Sequence, residues 1–143
     1  MLRRFDERKR RKLVKKLIIA VVLITVILGL GVLEISYDSK KYSEIKEGLI
    51  ELHEVLSLNE KNVNVKPVWD SFNRVNEIWQ GCNDTITIST NHNVVRSINE
   101  RFAYLQDFIK ANVYSDALST TNTLIDTAEY MKEEKYLLLG NIF

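Results

Sequence analysis

Hydrophobic positions follow two rhythms along this chain. From Leu17 to Leu33 the stretch LIIAVVLITVILGLGVL carries no charge, and thirteen of its seventeen positions are Leu, Ile or Val. At the rise of an α-helix it covers roughly 25 Å of a hydrocarbon core about 30 Å thick. Counting back to Leu13, with Lys15 and Lys16 reaching toward headgroups, extends this to roughly 32 Å, which is enough to cross. The aliphatic side chains favour insertion by about 4 to 8 kcal/mol. The pattern therefore predicts a basic tail over 1–16, a transmembrane helix over 17–33 that closes at Glu34, and a separate domain over 34–143.

Past the span the rhythm changes to steps of three and four, the spacing that puts side chains on one helical face. Tyr42, Ile45, Leu49, Leu52 and Leu56 predict a helix starting near Ser39, with Asn59-Glu60-Lys61-Asn62 as the loop after it. Gly48 weakens that helix by roughly 1 kcal/mol relative to Ala without overturning so regular a stripe. Asn64 is the expected N-cap of a second helix, with Pro67 in its first turn and an end at Gly81. The inner face of that helix is Val68, Trp69, Phe72, Val75, Ile78, Trp79 and Cys82. Thr85 to Thr90 alternates like a strand but has no strand to pair with, so it reads as an irregular or poorly regular helical segment. Asn91 or Asn93 then caps a third helix, whose face is Val95, Ile98, Phe102, Leu105 and Ile109. A fourth starts near Ser115, presents Ala117, Leu118, Thr121, Leu124, Ile125, Ala128 and Met131, and is interrupted at Glu133-Glu134-Lys135. The apolar tail from Tyr136 to Phe143 is too short to span and is expected to pack back or to dock on a partner.

Four amphipathic helices with short connections predict an all-α fold, an antiparallel four-helix bundle behind the single span. The rival is a parallel coiled-coil dimer, but each stripe ends within about three heptads.

Charge sets the orientation. The total of +1 hides a net +7 over residues 1–16, which hold nine of the twenty Lys and Arg, against −6 over the rest. Arg8, Lys9, Arg10, Arg11 and Lys12 stand directly before the span, and the positive-inside rule keeps them in the cytoplasm with the larger domain outside the cell membrane. Two other readings fit the same segment less well. Gly29-Leu30-Gly31 offers small residues for a signal peptidase, but the apolar run and the segment before it are longer than a secretory signal needs. A nucleic-acid arm would also be basic, but charge beside a spanning stretch follows from topology and anionic lipid, so membrane lipid is the expected partner and nucleic acid is not.

The search for chemistry returns little. The five glycines form no phosphate-binding loop, and no nucleophile elbow or zinc-protease motif is present. His53 and His92 lack the Glu three residues earlier that a di-iron bundle requires. No catalytic residue, metal site or cofactor is assigned. Trp69 and Trp79 lie ten residues apart and either flank a partner groove or belong to the core, the commoner fate of such residues. His92 is a ligand or pH-sensor candidate, against the plainer reading of a helix-start residue. Cys82 is the single cysteine, so intramolecular disulfides are excluded, and a buried thiol is favoured over a bridge between chains. Asn83-Asp84-Thr85 matches a glycosylation sequon, relevant only to a eukaryotic secretory route.

A basic start, one span, Trp69 opening a helix, Trp79 ten residues on, His92 before the next helix and an Asn141-Ile142-Phe143 ending together resemble the uncharacterised bacterial family called domain of unknown function 4363. The likeness runs from Leu13 to Phe143 and departs from the family at Pro67 and at Thr85 to Thr90. It implies a membrane-anchored extracytoplasmic protein of Gram-positive bacteria with no assigned activity. The expected function is a non-enzymatic interaction or accessory module of the cell envelope. It would bind a protein partner or a second copy of itself, with Trp69, Trp79, His92, Ile142 and Phe143 as contact candidates. The alternative is a ligand-sensing bundle, similar to the outer domains of bacterial chemoreceptors, that acts through a partner.

Overall fold

The computed structural model describes the backbone of residues 2–89 and 91–140, and the side chains of residues 13–82, Ile86 and residues 91–134. Four helices account for nearly all of it, with no strand among the described residues. They are α1 (Leu2–Leu58), α2 (Lys66–Ser89), α3 (His92–Lys110) and α4 (Tyr114–Gly140).

The chain divides into two units between Ser36 and Tyr37. In the first, α1 is long and apolar enough to cross a membrane near the N-terminus. Its large side chains stay open, with Leu17 at 66% and Leu33 at 68% exposure. Arg8 to Lys12 lie on this helix, and their side chains fall outside the described set.

The expected break before Ser39 is absent. Span and first stripe belong to one helix of 57 residues, so the count is four rather than a span plus four. Nothing between Glu34 and Tyr42 stops a helix, since that stretch has neither Pro nor Gly. Glu34 ends an apolar run, which is a change of solvent preference and not of backbone geometry.

The second unit holds the core, and every stripe residue read from the sequence contributes to it. Tyr42, Ile45, Leu49, Leu52 and Leu56 of α1 are all buried, as are Val68, Phe72, Val75, Trp79 and Cys82 of α2. From α3 come Val95, Ile98, Phe102, Leu105 and Ile109, and from α4 Ala117, Thr121, Leu124, Ala128 and Met131. Trp69, Ile78, Leu118 and Ile125 pack at its margin. A void of only about 10 Å³ remains among Tyr42, Trp79, Phe102 and Met131, room for one water at most.

Two further expectations are corrected. α2 does not stop at Gly81 but runs to Ser89, so Thr85 to Ser89 is helical; Thr90 lies outside the described residues. Ile86 is fully buried and continues the stripe of Trp79 and Cys82 at helical spacing, so its burial outweighs the β-branched preference of its neighbours. α4 likewise passes through Glu133-Glu134-Lys135 without a break and reaches Gly140.

Gly48 has a structural reason. A Cβ placed there would lie 3.1 Å from Val75 Cγ2 and 3.2 Å from Val75 Cβ, so the missing side chain lets α1 and α2 approach closely. Exposed ion pairs also link the helices, Arg74 of α2 with Glu51 of α1 at 2.6 Å and Lys46 of α1 with Glu129 of α4 at 2.7 Å. Pairs this open to water contribute little to stability.

Candidate functional site

The two tryptophans have different fates. Trp79 is 1% exposed, stacks on Phe102 with centroids 6.2 Å apart, and donates its indole N–H to Asn99 Oδ1 at 2.7 Å. Trp79 is therefore a core residue with a satisfied polar edge and presents no surface to a partner. Trp69 is half-buried, meets Phe72 edge-on at 5.8 Å, and donates to Asn64 Oδ1 at 2.8 Å. The pair does not flank a shared groove.

Asn64 is not the N-cap expected of it. α2 starts two residues later, at Lys66, and Pro67 occupies its first turn as expected. The Asn64 side chain instead accepts from Trp69 and donates from Nδ2 to the Lys110 carbonyl at 3.2 Å. Beside it, Asn112 Oδ1 accepts the amide of buried Val63 at 2.7 Å. Asn112 has φ 57°, and the bonds from Asn112 N to Ile109 O and from Val113 N to Phe108 O close the end of α3 in a Schellman motif. These asparagines fasten the α1–α2 connection to the α3–α4 connection and fix where Trp69 sits.

His92 opens α3 and is exposed. Asn91 is the cap, its side chain accepting the Asn93 N–H at 2.9 Å. Among the described residues no three His, Cys, Asp or Glu side chains converge as a metal site would require. Ile142 and Phe143 lie outside the described residues.

Cys82 is buried and points its Sγ at the Ile78 and Trp79 carbonyls, 3.1 and 3.3 Å away. Burial pushes its pKa up to about 11. A thiol held in this way is neither a nucleophile at neutral pH nor placed to bridge two chains. Elsewhere, Lys46 holds the Glu129 carboxyl below its ordinary range, and Glu44 raises the Lys41 ammonium.

One open groove stands apart. It lies between α3 and α4, encloses about 450 Å³, and is lined by Asn93, Val94, Ser97 and Arg101 on one side and Thr123, Asp126, Thr127 and Tyr130 on the other. The sequence reading missed it. Each residue looks like ordinary surface within its own helix, and the groove, whose lining is mostly apolar surface with a few polar groups, exists only where the two helix edges meet. Set against known proteins, the chain matches no family model, no curated protein and no solved structure.

Proposed function

We propose that this chain is a non-enzymatic, membrane-anchored accessory module of the bacterial cell envelope, of the kind its resemblance to domain of unknown function 4363 implies. In this reading residues 1–16 stay in the cytoplasm. The helices beyond the span form an antiparallel four-helix bundle outside the membrane and bind another envelope protein or a second copy. Membrane lipid is the first partner, and neither nucleic acid nor a cofactor takes part.

The observation that carries the reading is the exposure of the apolar side chains from Leu13 to Leu33. A contiguous surface of that size is not left in water by a soluble monomer. Trp69 at the core margin, exposed His92 and the Ile142-Phe143 ending are the contact candidates that remain, while Trp79 is withdrawn by its burial.

Chemical crosslinking in intact cells, followed by affinity purification from detergent extract, tests the partner claim. Recovery of one stoichiometric envelope protein or of a homo-oligomer is expected. A monomer by light scattering with no co-purified protein overturns it. The second reading, a ligand-sensing bundle acting through a partner, is favoured by the α3–α4 groove.

A further inference from the structure

We infer that the groove between α3 and α4 is a binding site for a free α-amino acid, with its carboxylate on the α3 wall and its ammonium on the α4 wall. This deepens the second reading and rests on it only for any signalling consequence, since binding is measured on its own.

Two hydroxyls in the groove are already committed to the helix backbone. Thr123 donates its hydroxyl to the Ser119 carbonyl at 3.0 Å, and Thr127 donates to the Thr123 carbonyl at 2.7 Å. With their protons turned into the helix, both hydroxyls offer only lone pairs to the groove. Asp126 stands between them on the same wall and adds a carboxylate. The α4 wall is thus built of acceptors.

The α3 wall is its counterpart. Arg101 supplies a guanidinium that binds a carboxylate through two parallel N–H bonds, and Ser97 and Asn93 supply a hydroxyl and an amide with no hydrogen bond elsewhere among the described residues. Neither Arg101 nor Asp126 takes part in an ion pair among the described residues, although both line this one groove.

A cation and an anion on opposite walls, each without an ion pair among the described residues, call for a ligand that carries both charges. A simple anion leaves Asp126 unanswered, and a simple amine leaves Arg101 unanswered. The volume of about 450 Å³ falls in the range of small-molecule sites and admits one amino acid with its side chain directed at Val94 and Tyr130. An open groove with a few charge-assisted bonds predicts weak binding, with Kd on the order of 0.1 to 1 mM.

Saturation-transfer difference NMR on the full chain in detergent micelles tests this, using the twenty proteinogenic L-amino acids as probes. At least one is expected to receive saturation above empty micelles. Its N-acetyl derivative, which has lost the ammonium, and its carboxamide, which has lost the carboxylate, should each bind at least tenfold more weakly. Arg101→Gln and Asp126→Asn should each weaken binding of the free amino acid at least tenfold while leaving the thermal unfolding midpoint unchanged. No saturation transfer to any probe overturns the inference. So does equal binding of the blocked derivatives, or binding that survives both substitutions. Each of these three results leaves the envelope-partner reading standing, since crosslinking decides that separately.

Discussion

The side-chain oxygen of Asn112 accepts the backbone N–H of Val63 at 2.7 Å, joining two connections 49 residues apart in sequence. Asn112 does two jobs at once. Its left-handed backbone closes α3, and its side chain satisfies an amide on a residue with no exposed surface. Gly keeps the first role and loses the second, so Asn112→Gly should destabilise the domain by about 1 to 2 kcal/mol. Asn112→Ala loses both and should cost about 1 kcal/mol more, because Ala resists the left-handed region. Urea unfolding of the full chain in mild detergent, followed by circular dichroism, provides the comparison. Equal effects of the two variants would remove the backbone part of the argument.

Gly48 and Val75 make a second pair whose coupling is measurable. Gly48→Ala gains helix propensity but presses a methyl group onto Val75 Cβ, which α2 holds fixed. The expected net effect is a loss of about 1 kcal/mol. A Val75→Ala background removes the Cγ2 contact at 3.1 Å and keeps the Cβ contact at 3.2 Å, so there the same substitution should cost less without becoming free. Additive behaviour across this double-mutant cycle would mean the helices do not approach as closely as described.

The tryptophans should report different surroundings by fluorescence. Trp69→Phe leaves Trp79, enclosed against Phe102, and its emission should be blue-shifted and resistant to iodide. Trp79→Phe leaves the half-buried Trp69, whose emission should be quenched several-fold more readily. The reverse order would place Trp79 at the surface and restore it as a contact residue.

For Cys82 the sign follows from proton uptake. The folded thiol holds its proton up to about pH 11, whereas the ordinary value is 9.0. The unfolded chain releases that proton first, so the contribution of Cys82 is complete below about pH 9 and is lost as pH rises toward 11. The stability difference between the wild type and Cys82→Ala should narrow over that window. A thiol-reactive disulfide reagent at pH 8 should label Cys82 only after denaturant is added. Rapid labelling of the native chain would contradict its burial.

The core was legible in the sequence because burial follows helical spacing. Each of the stripes of Leu49, Phe72, Phe102 and Leu124 falls in the core, and Asn91 caps α3 as its side-chain chemistry suggests. Helix ends were less legible. Thr85 to Ser89 has β-branched propensity that local reading cannot weigh against the burial of Ile86, and a charge at Glu34 resembles an end where the backbone has none. The role of Asn64 was hidden because its partners, Trp69 and Lys110, include one at the end of a helix distant in sequence. The groove was invisible for the same reason, since Arg101 and Asp126 come to line one groove only through the packing of two helices.

The arrangement across the membrane bears most of the functional reading, and cysteine accessibility tests it most directly. In a Cys82→Ala background, a single cysteine is introduced at exposed Leu58 (Leu58→Cys) or at Lys110 (Lys110→Cys), and intact cells are treated with a membrane-impermeant maleimide. The account predicts that both sites are labelled from outside and that the protein stays with the membrane after alkaline carbonate extraction. Labelling only after permeabilisation, or recovery of the chain in the soluble fraction, would contradict it.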